Sequence, residues 1–543
     1  RCDMQNTKRE KIKLLILFLT GGCCVLLSGL VLLNSHILEA SESNITSAST
    51  IYTSSYQDEV EEELENKKNK GNYTEDNMLI IENPYGTNTL SLYVYFTSKE
   101  AVSVSYEISV QDTSIPNFEG KPASESDYST KHEFQVIGLL PEQKNTITFT
   151  LEKENGTKKT YSYTHKMGSL LGKEEVQLEN TKASQTKDYV TDGLYVILGN
   201  DSEEKDFMYY YDNAGVIRGE VPLIGYRSHR LLFQDGLMYY SISTNKMAAV
   251  NTLGKVEKVY DTGQYNLHHD YVFDDDGNLL VLATDTEKNT VEDQIIKIDT
   301  KTGEVSHVLD LEDCFKSYKE QCVSEDDEEM DWMHINTIQW LGNGQVLLSS
   351  RETSTIIFID DLYENPQVKY MIGEESFWEN TEYKDLLLEK DESSQSFSNT
   401  GGQHSITYVK DDTLDAGEYY LYMFNNNFGK SSTNPSYDWN HIDGIETSAT
   451  VDDDSKASYF YKYKVDENNN TYTLVQSFEV PFSPYVSSVQ EYDGNLIIDS
   501  GMKGVFGEYD ADGNLIQQFK MKLSDQYIYR VYKYTFTDFY FSE

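Results

Sequence analysis

The chain has 543 residues and a formal net charge of −46 at pH 7. Such acidity excludes nucleic-acid binding, which needs clustered Lys and Arg, while 42 Tyr and 22 Phe exclude an acidic disordered chain. Five Cys exclude a disulfide-dense scaffold, and a prior of one domain per ~150 residues gives two to four domains.

The chain opens with an apolar run from Leu14 to Leu33, broken only by Thr20, Gly21, Gly22, Ser28 and Gly29. At ~1.5 Å per residue this spans a bilayer core of ~30 Å. The flank holds Arg1, Lys8, Arg9, Lys11 and Lys13 against Asp3 and Glu10. Positive flanks stay in the cytoplasm. The expectation is a cytoplasmic stub and single-pass membrane anchor over residues 1–34, with the bulk of the chain outside the cell. A cleaved secretory signal fits less well, because no small-x-small site follows the run. Residues 35–77 are expected to be a disordered stalk. Their Ser, Thr, Glu, Asn and Lys, with the acidic run Asp58 to Glu65, offer little from which to build a core.

From residue 78 the pattern changes to period-2 alternation. Leu90 to Phe96, Val102 to Ile108 and Thr146 to Leu151 alternate, and Asn155-Gly156 marks a hairpin before Lys159 to Tyr163. These signals predict a β-sandwich of the fibronectin-III type over 78–170. A polar linker is expected over about 170–188. From 185 to 543 a strand–Asp-Gly–strand unit recurs irregularly, at Asp235-Gly236, Asp276-Gly277-Asn278, Asp493-Gly494-Asn495 and Asp512-Gly513-Asn514. Gly342-Asn343-Gly344 is a variant. This is the strongest short hairpin signal, and blades of ~40–60 residues predict a β-propeller of six to eight blades. The Asp-rich turns lack the Glu and the helices of an EF-hand, so turn chemistry is the better account of their carboxylates.

Three histidines stand just before expected hairpins: His268, with His269 and Asp270 after it; His334, in His334-Ile335-Asn336; and His404, in Gly401-Gly402-Gln403-His404. In a strand, i and i+2 share a face. His268 is therefore expected to project with Asp270, His334 with Asn336, and His269 away from His268. Arg351 ends the strand that returns from the Gly342 turn. Three His could bind zinc, but no local ligand pair supports it. Alternatively, Arg, His and Asn donors suit an anionic sulfate or phosphate group, with one neutral His as nucleophile.

The stretches around His268, His334-Ile335-Asn336, Arg351 and Gly401-Gly402-Gln403-His404 resemble the bacterial arylsulfate sulfotransferases in order and spacing. The resemblance covers about residues 78–543. It implies an all-β chain, a six-bladed β-propeller preceded by a small β-sandwich. It implies transfer of a sulfuryl group from a phenolic sulfate ester to an acceptor phenol, without a nucleotide donor and by ping-pong kinetics. By that resemblance His404 is the nucleophile, sulfated transiently, and His268, His334, Asn336 and Arg351 hold the sulfuryl oxygens. His268 is also the candidate base for the acceptor.

Ser488, with Ser487 beside it, is the candidate for a hydroxyl contact from the last blade. The loop Phe424-Asn425-Asn426-Asn427-Phe428-Gly429 departs from the Asp-Asn-Gly form the family leads one to expect. Trp332, Tyr271, Phe428 and Tyr485 are candidates for stacking on an aryl ring, and Cys314 and Cys322 for a disulfide. No cofactor and no resident metal is expected. The expected partners are an aryl sulfate donor, a phenolic acceptor and the membrane, with a homodimer left open. Competing readings are a hydrolase on the same scaffold and a non-catalytic surface propeller.

Overall fold

The alternation that begins at Leu90 becomes one long strand, Ser91–Ser109. Its first half pairs with Ser129–Ile137 and its second half with Lys144–Lys153. Val102, Val104, Tyr106 and Ile108 face inward, as their period requires. With Leu79–Glu82, Phe118–Gly120 and Lys158–Lys166 the strands form a six-stranded antiparallel sheet. The computed structural model describes residues 46–123, 126–183, 190–200, 206–324 and 329–543.

Beyond this domain, the described residues hold six further sheets of four or five strands. Sheet I contains Leu194–Leu198, Phe207–Tyr211, Ile217–Pro222 and, as its fourth strand, Arg530–Tyr534. Sheet II runs from Leu232–Gln234 to Val256–Asp261, and sheet III from Tyr265–Phe273 to Val305–Asp310. Sheet IV runs from Ile335–Gly342 to Gln367–Ile372. Sheet V starts at His404–Val409 and extends to Thr471–Pro481, and sheet VI starts at Ser488–Tyr492 and extends to Leu515–Lys520. The four consecutive strands of each of sheets II to VI form an antiparallel meander, which short hairpins make possible, and sheet V adds Glu389–Lys390 parallel to Thr471–Pro481. The Asp-Gly and Asn-Gly turns sit where expected: Asp235 and Gly236, Asn343 and Gly344, and Asp493 and Gly494 all have positive φ, the requirement of a type I′ hairpin. In the Asp274 turn the carboxylate accepts from the backbone of Asp276 and Asn278, which is turn chemistry.

The first strands of sheets III, IV, V and VI lie side by side, and Arg530–Tyr534 lies beside the first strand of VI. Polar side chains stitch them together. Ser405 N donates to Thr337 Oγ1 at 3.0 Å, and the Ser405 and Tyr532 hydroxyls bond at 2.9 Å. Gln490 bridges to the backbone of Lys533. Apolar layers fill the space between neighbouring sheets: Leu280, Leu282, Ile338 and Leu348 between III and IV, and Leu347, Ile356, Phe358, Leu421 and Met423 between IV and V. Each such fully buried side chain contributes about 1.5–3 kcal/mol.

Four expectations are corrected. The acidic stretch of the supposed stalk is a helix, Ser54–Lys70, capped by Thr53. Leu64 packs on Leu79, Tyr85 and Tyr93, with Val60 beside them. Gln57 bonds Tyr85 O and the amide of Val256, so the helix is part of the folded body. The linker contains the strand Glu179–Ala183, which adds a fifth strand to sheet VI. Cys314 and Cys322 are free thiols, the latter bonded to Tyr318 O. His269 does not turn away from His268: their rings sit 5.0 Å apart. The apolar run Leu14 to Leu33 lies outside the described residues, among which no helix is long and apolar enough to cross a membrane.

Candidate active site

A recurring backbone irregularity re-aims the histidines. Register breaks occur between Leu267 and Tyr271, between Ile335 and Thr337, and between His404 and Thr407, near the start of the first strands of sheets III, IV and V. At these places His269, His334 and Ser405 have φ of 58°, 49° and 58°. Non-glycine residues held there cost of order 1–3 kcal/mol each. A bulge places two consecutive side chains on one side of a strand, so His268 and His269 both face the cluster instead of alternating.

His404 is buried, and the segment before it is clamped from two sides. Gln403 Nε2 donates to Ser349 Oγ, Ser350 O and Thr355 O of sheet IV, and Asn336 Nδ2 donates to Gln403 O at 2.8 Å. On the other side Gly401 N donates to Asn425 Oδ1, and Phe428 N to Gly401 O. A Cβ on Gly401 would lie 2.8 Å from Phe428 N, and Gly402 has φ +60°, so both positions require glycine.

The tautomer of His404 follows from its partners. Nδ1 lies 2.9 Å from Gly402 O and 2.8 Å from Asn426 Oδ1. Both are acceptors, because Asn426 Nδ2 is spent on Ser483 O and Val486 O. Nδ1 therefore carries the proton and Nε2 keeps its lone pair. Burial pushes the His404 pKa down to about 3, with the charges of His334 and Arg351 adding to the effect. The ring is neutral at pH 7.

His334 has the opposite setting. Burial and Arg351 oppose its charge, but Asp331 and Glu292 outweigh them and hold its pKa up at about 9. Its Nδ1 lies 2.7 Å from Asp331 Oδ2 and 2.6 Å from Glu292 Oε2, so the imidazolium has its Nε2–H to offer. Arg351 Nη2 donates to Asp331 Oδ2 at 3.0 Å and Glu352 Oε1 at 2.7 Å. Nε and Nη1 remain for another anion. His269 Nε2 lies 2.8 Å from Glu292 Oε2, while its Nδ1 is buried without a partner, and the buried His268 ring has the Ala283 carbonyl beside it. Burial, the largest cause, keeps His268 and His269 below the usual imidazole range. Two overlapping sets, His268–His269–Glu292 and Glu292–Asp331–His334, place their donor atoms within 4.8 Å of one another.

Beside Arg351 and Gly402 a cavity of about 50 Å³ is lined by Glu352, Phe428, Lys430, Ser432, Pro484 and Tyr485. The rings of Phe428 and Tyr485 meet edge to face at 5.1 Å, and the Arg351 guanidinium lies 5.7 Å from the Tyr485 ring.

Of the expected site residues, His268, His334 and Arg351 gather with their carboxylate partners, and the charges of His334 and Arg351 reach His404. Asn336 supports the strand of His404 through Gln403. Ser488 is engaged elsewhere: its hydroxyl donates to Val531 O and accepts from Val531 N. Ser487 Oγ is likewise tied to Ser483 Oγ and Gly501 N. Asp270 does not join His268; it pairs with Arg230 and Arg530. Of the four aryl candidates only Phe428 and Tyr485 line the cavity. Trp332 is core, bonded to Asp293, and the Tyr271 hydroxyl is bonded to Arg230 O.

Comparison with protein families matches residues 179–530 to the arylsulfotransferase (ASST) family, and residues 79–168 to the arylsulfotransferase Ig-like domain. The chain belongs to the arylsulfotransferase family. Membership makes it an aryl sulfotransferase enzyme with an Ig-like domain ahead of its larger part. No curated protein matches the chain. Similar solved structures include a candidate 6-phosphogluconolactonase from Bacteroides uniformis, at 13% identity and TM-score 0.35, covering 80% of this chain and all of that one. They also include a protein of unknown function from Bacteroides caccae, at 13% identity and TM-score 0.36, covering 63% and 98%. At these TM-scores the likeness says nothing about activity.

The arylsulfotransferase site contains groups the sequence did not single out. Glu292, Asp331 and Glu352 disappear among 91 acidic residues. The available signal was local: Asp331 precedes His334 by three, and Glu352 follows Arg351 directly. Asn426 lies in the loop that departs from the expected form, and its side chain sets the tautomer of His404.

Proposed function

We propose that this arylsulfotransferase moves a sulfuryl group from a phenolic sulfate ester to an acceptor phenol through a sulfated His404, with no nucleotide donor. The observation that carries the reading is the fixed, neutral His404, with Nδ1–H committed and Nε2 free. Nε2 attacks sulfur and an N–S bond forms. The S–O bond to the aryl group breaks, and the phenolate leaves with its electron pair. The positive charge that develops on the ring is met by Gly402 O and Asn426 Oδ1. The His334 imidazolium and the Arg351 guanidinium face the sulfuryl oxygens, and such preorganised donors are usually the largest catalytic term. In the second half-reaction the acceptor oxygen attacks sulfur, the N–S bond breaks, and His404 returns neutral. His268, which keeps one ring nitrogen beyond its bond to the Ala283 carbonyl, is the base that takes the acceptor's proton. Phe428 and Tyr485 are the candidates for stacking on the aryl ring.

The same proposal reads sheets I to VI as the six blades of a β-propeller, the domain over about 185–543. Support comes from the meander of each sheet, the adjacent first strands and the return of Arg530–Tyr534 to sheet I. The apolar run and basic flank support a membrane anchor with the enzyme outside the cell.

The test is intact mass after brief exposure to an aryl sulfate. An added sulfuryl mass that is absent in His404→Asn is expected, with donor turnover down at least ~10³-fold. Unchanged turnover in that variant would remove His404 from the reaction. Sulfated phenol should accumulate when phenol is added; release of inorganic sulfate alone would favour the hydrolase.

A further inference from the structure

The site just described has a charge problem. Its cations are Arg351 and His334. Three carboxylates, Glu292, Asp331 and Glu352, already contact them at 2.6 to 3.0 Å. Even with Lys430 on the cavity wall these carboxylates cancel the local positive charge, in a chain whose total is −46, and the substrate is itself an anion. In addition, buried polar atoms are normally satisfied, yet Nδ1 of His269 is buried without a hydrogen-bond partner, and His268 has only the Ala283 carbonyl beside its ring.

We propose that His268, His269 and Glu292 bind a divalent transition-metal cation of the zinc type next to the sulfuryl site. Two imidazoles and one carboxylate are a ligand set that zinc accepts while keeping a fourth position open. The three donor atoms lie within 4.8 Å of one another. Ligands on one zinc ion at ~2.0–2.1 Å stand roughly 3.3 Å apart. Binding thus requires His268 to close slightly and the 2.8 Å contact of His269 Nε2 with Glu292 Oε2 to open slightly.

His269 can give up its Nε2 proton because its Nδ1 is uncommitted and takes the other tautomer. Glu292 has a second carboxylate oxygen, so it can serve the ion and His334 together. The overlapping set Glu292–Asp331–His334 is the weaker candidate, because His334 and Asp331 are already bonded to each other and Asp331 to Arg351. A dication here gives the site a local excess of positive charge. The open coordination position gives a sulfuryl oxygen a partner; an ion-bound His268 cannot also take the acceptor's proton, so its role as base belongs to the metal-free site.

The test uses full-length protein and zinc chloride, without substrate. Chelator-stripped protein is loaded, desalted and assayed for metal by mass spectrometry. The expected result is about one zinc per chain, falling below a tenth in His269→Gln and in Glu292→Gln, and kept in His334→Gln. Less than a tenth of an equivalent in the unmodified protein overturns the site, as does full retention in both variants. Loss in His334→Gln and Glu292→Gln with full retention in His269→Gln would overturn this ligand set in favour of the other. If a variant does not fold, cobalt chloride on the unmodified protein decides. Intense visible absorption of a low-coordinate histidine-ligated ion supports the site, and the pale spectrum of hydrated cobalt overturns it. None of these readouts depends on sulfuryl transfer, so failure of the metal site and failure of the proposed function are separable.

Discussion

Asn426 holds the most consequential side chain outside the expected set. It anchors its own amide on Ser483 O and Val486 O and presents only an acceptor to His404. Removing that acceptor leaves Gly402 O alone to hold the Nδ1 proton, so the ring is less firmly fixed and the wrong tautomer, which has no nucleophile at Nε2, gains population. Asn426→Ala should therefore lower kcat by about 10²-fold or more while KM changes little. A rise in KM at constant kcat would instead place Asn426 in substrate binding.

The depressed pKa of His404 makes a second residue-scale prediction. A lowered imidazole pKa means that the reactive neutral form persists as pH falls below the usual 6.5 and is lost only near about 3. The rate of enzyme sulfation in a single turnover should thus stay level from about pH 8 to about pH 5. A fall centred near 6.5 would show that His404 is solvated and ordinary.

At the scale of elements, the close approach of the Gly401-Gly402 turn to the Asn-rich loop is the constraint nearest His404. A methyl at residue 401 meets backbone, not a flexible side chain. Gly401→Ala should cost roughly 1–3 kcal/mol, seen as a lower denaturant midpoint, and should displace His404 enough to lower kcat. An unchanged midpoint would mean that the loop yields freely.

The same scale explains what the sequence disclosed. Hairpins at Asp235-Gly236 and Asp493-Gly494 were legible because a type I′ turn is a local demand on two residues. The cluster of His268, His334 and Arg351 was legible as a family pattern, but its register was not. Alternation assigns His269 and His268 to opposite faces, and only the tertiary fit that selects a bulge at residues 268–270 brings them together. The helix Ser54–Lys70 was hidden because Val60 and Leu64 are the only aliphatic residues it offers to the body of the protein, too few for a periodic signal. Ser488 was misjudged because a hydroxyl on a first strand can equally serve the neighbouring strand, and Val531 claims it.

For the whole molecule, the junction of sheets I and VI carries a buried ion pair. Lys533 Nζ and Glu508 Oε2 are 2.9 Å apart and both side chains are fully buried. Thr191 and Tyr195 add hydrogen bonds to Glu508, and Thr191 O accepts from Lys533. Burial alone would push the lysine pKa down, and the pair keeps it charged only with these supports. Lys533→Met strands the carboxylate and should cost about 3–5 kcal/mol, whereas the double change with Glu508→Leu should cost less, because no lone buried charge remains. Thermal unfolding measures both; equal losses would mean that packing, not charge, sets the stability there.

The pairing of Arg530–Tyr534 with Leu194–Leu198 also has a consequence for biosynthesis. A ribosome releases Leu194–Leu198 long before its partner exists; the Thr191 and Lys533 that meet at this junction are 342 residues apart. At ~5–20 residues per second, the apolar edge Leu194-Tyr195-Val196-Ile197-Leu198 waits for roughly 20–70 s, open to pairing with another nascent chain. A holding chaperone, or release of the chain before folding begins, is the physical requirement that this one late strand imposes on the cell.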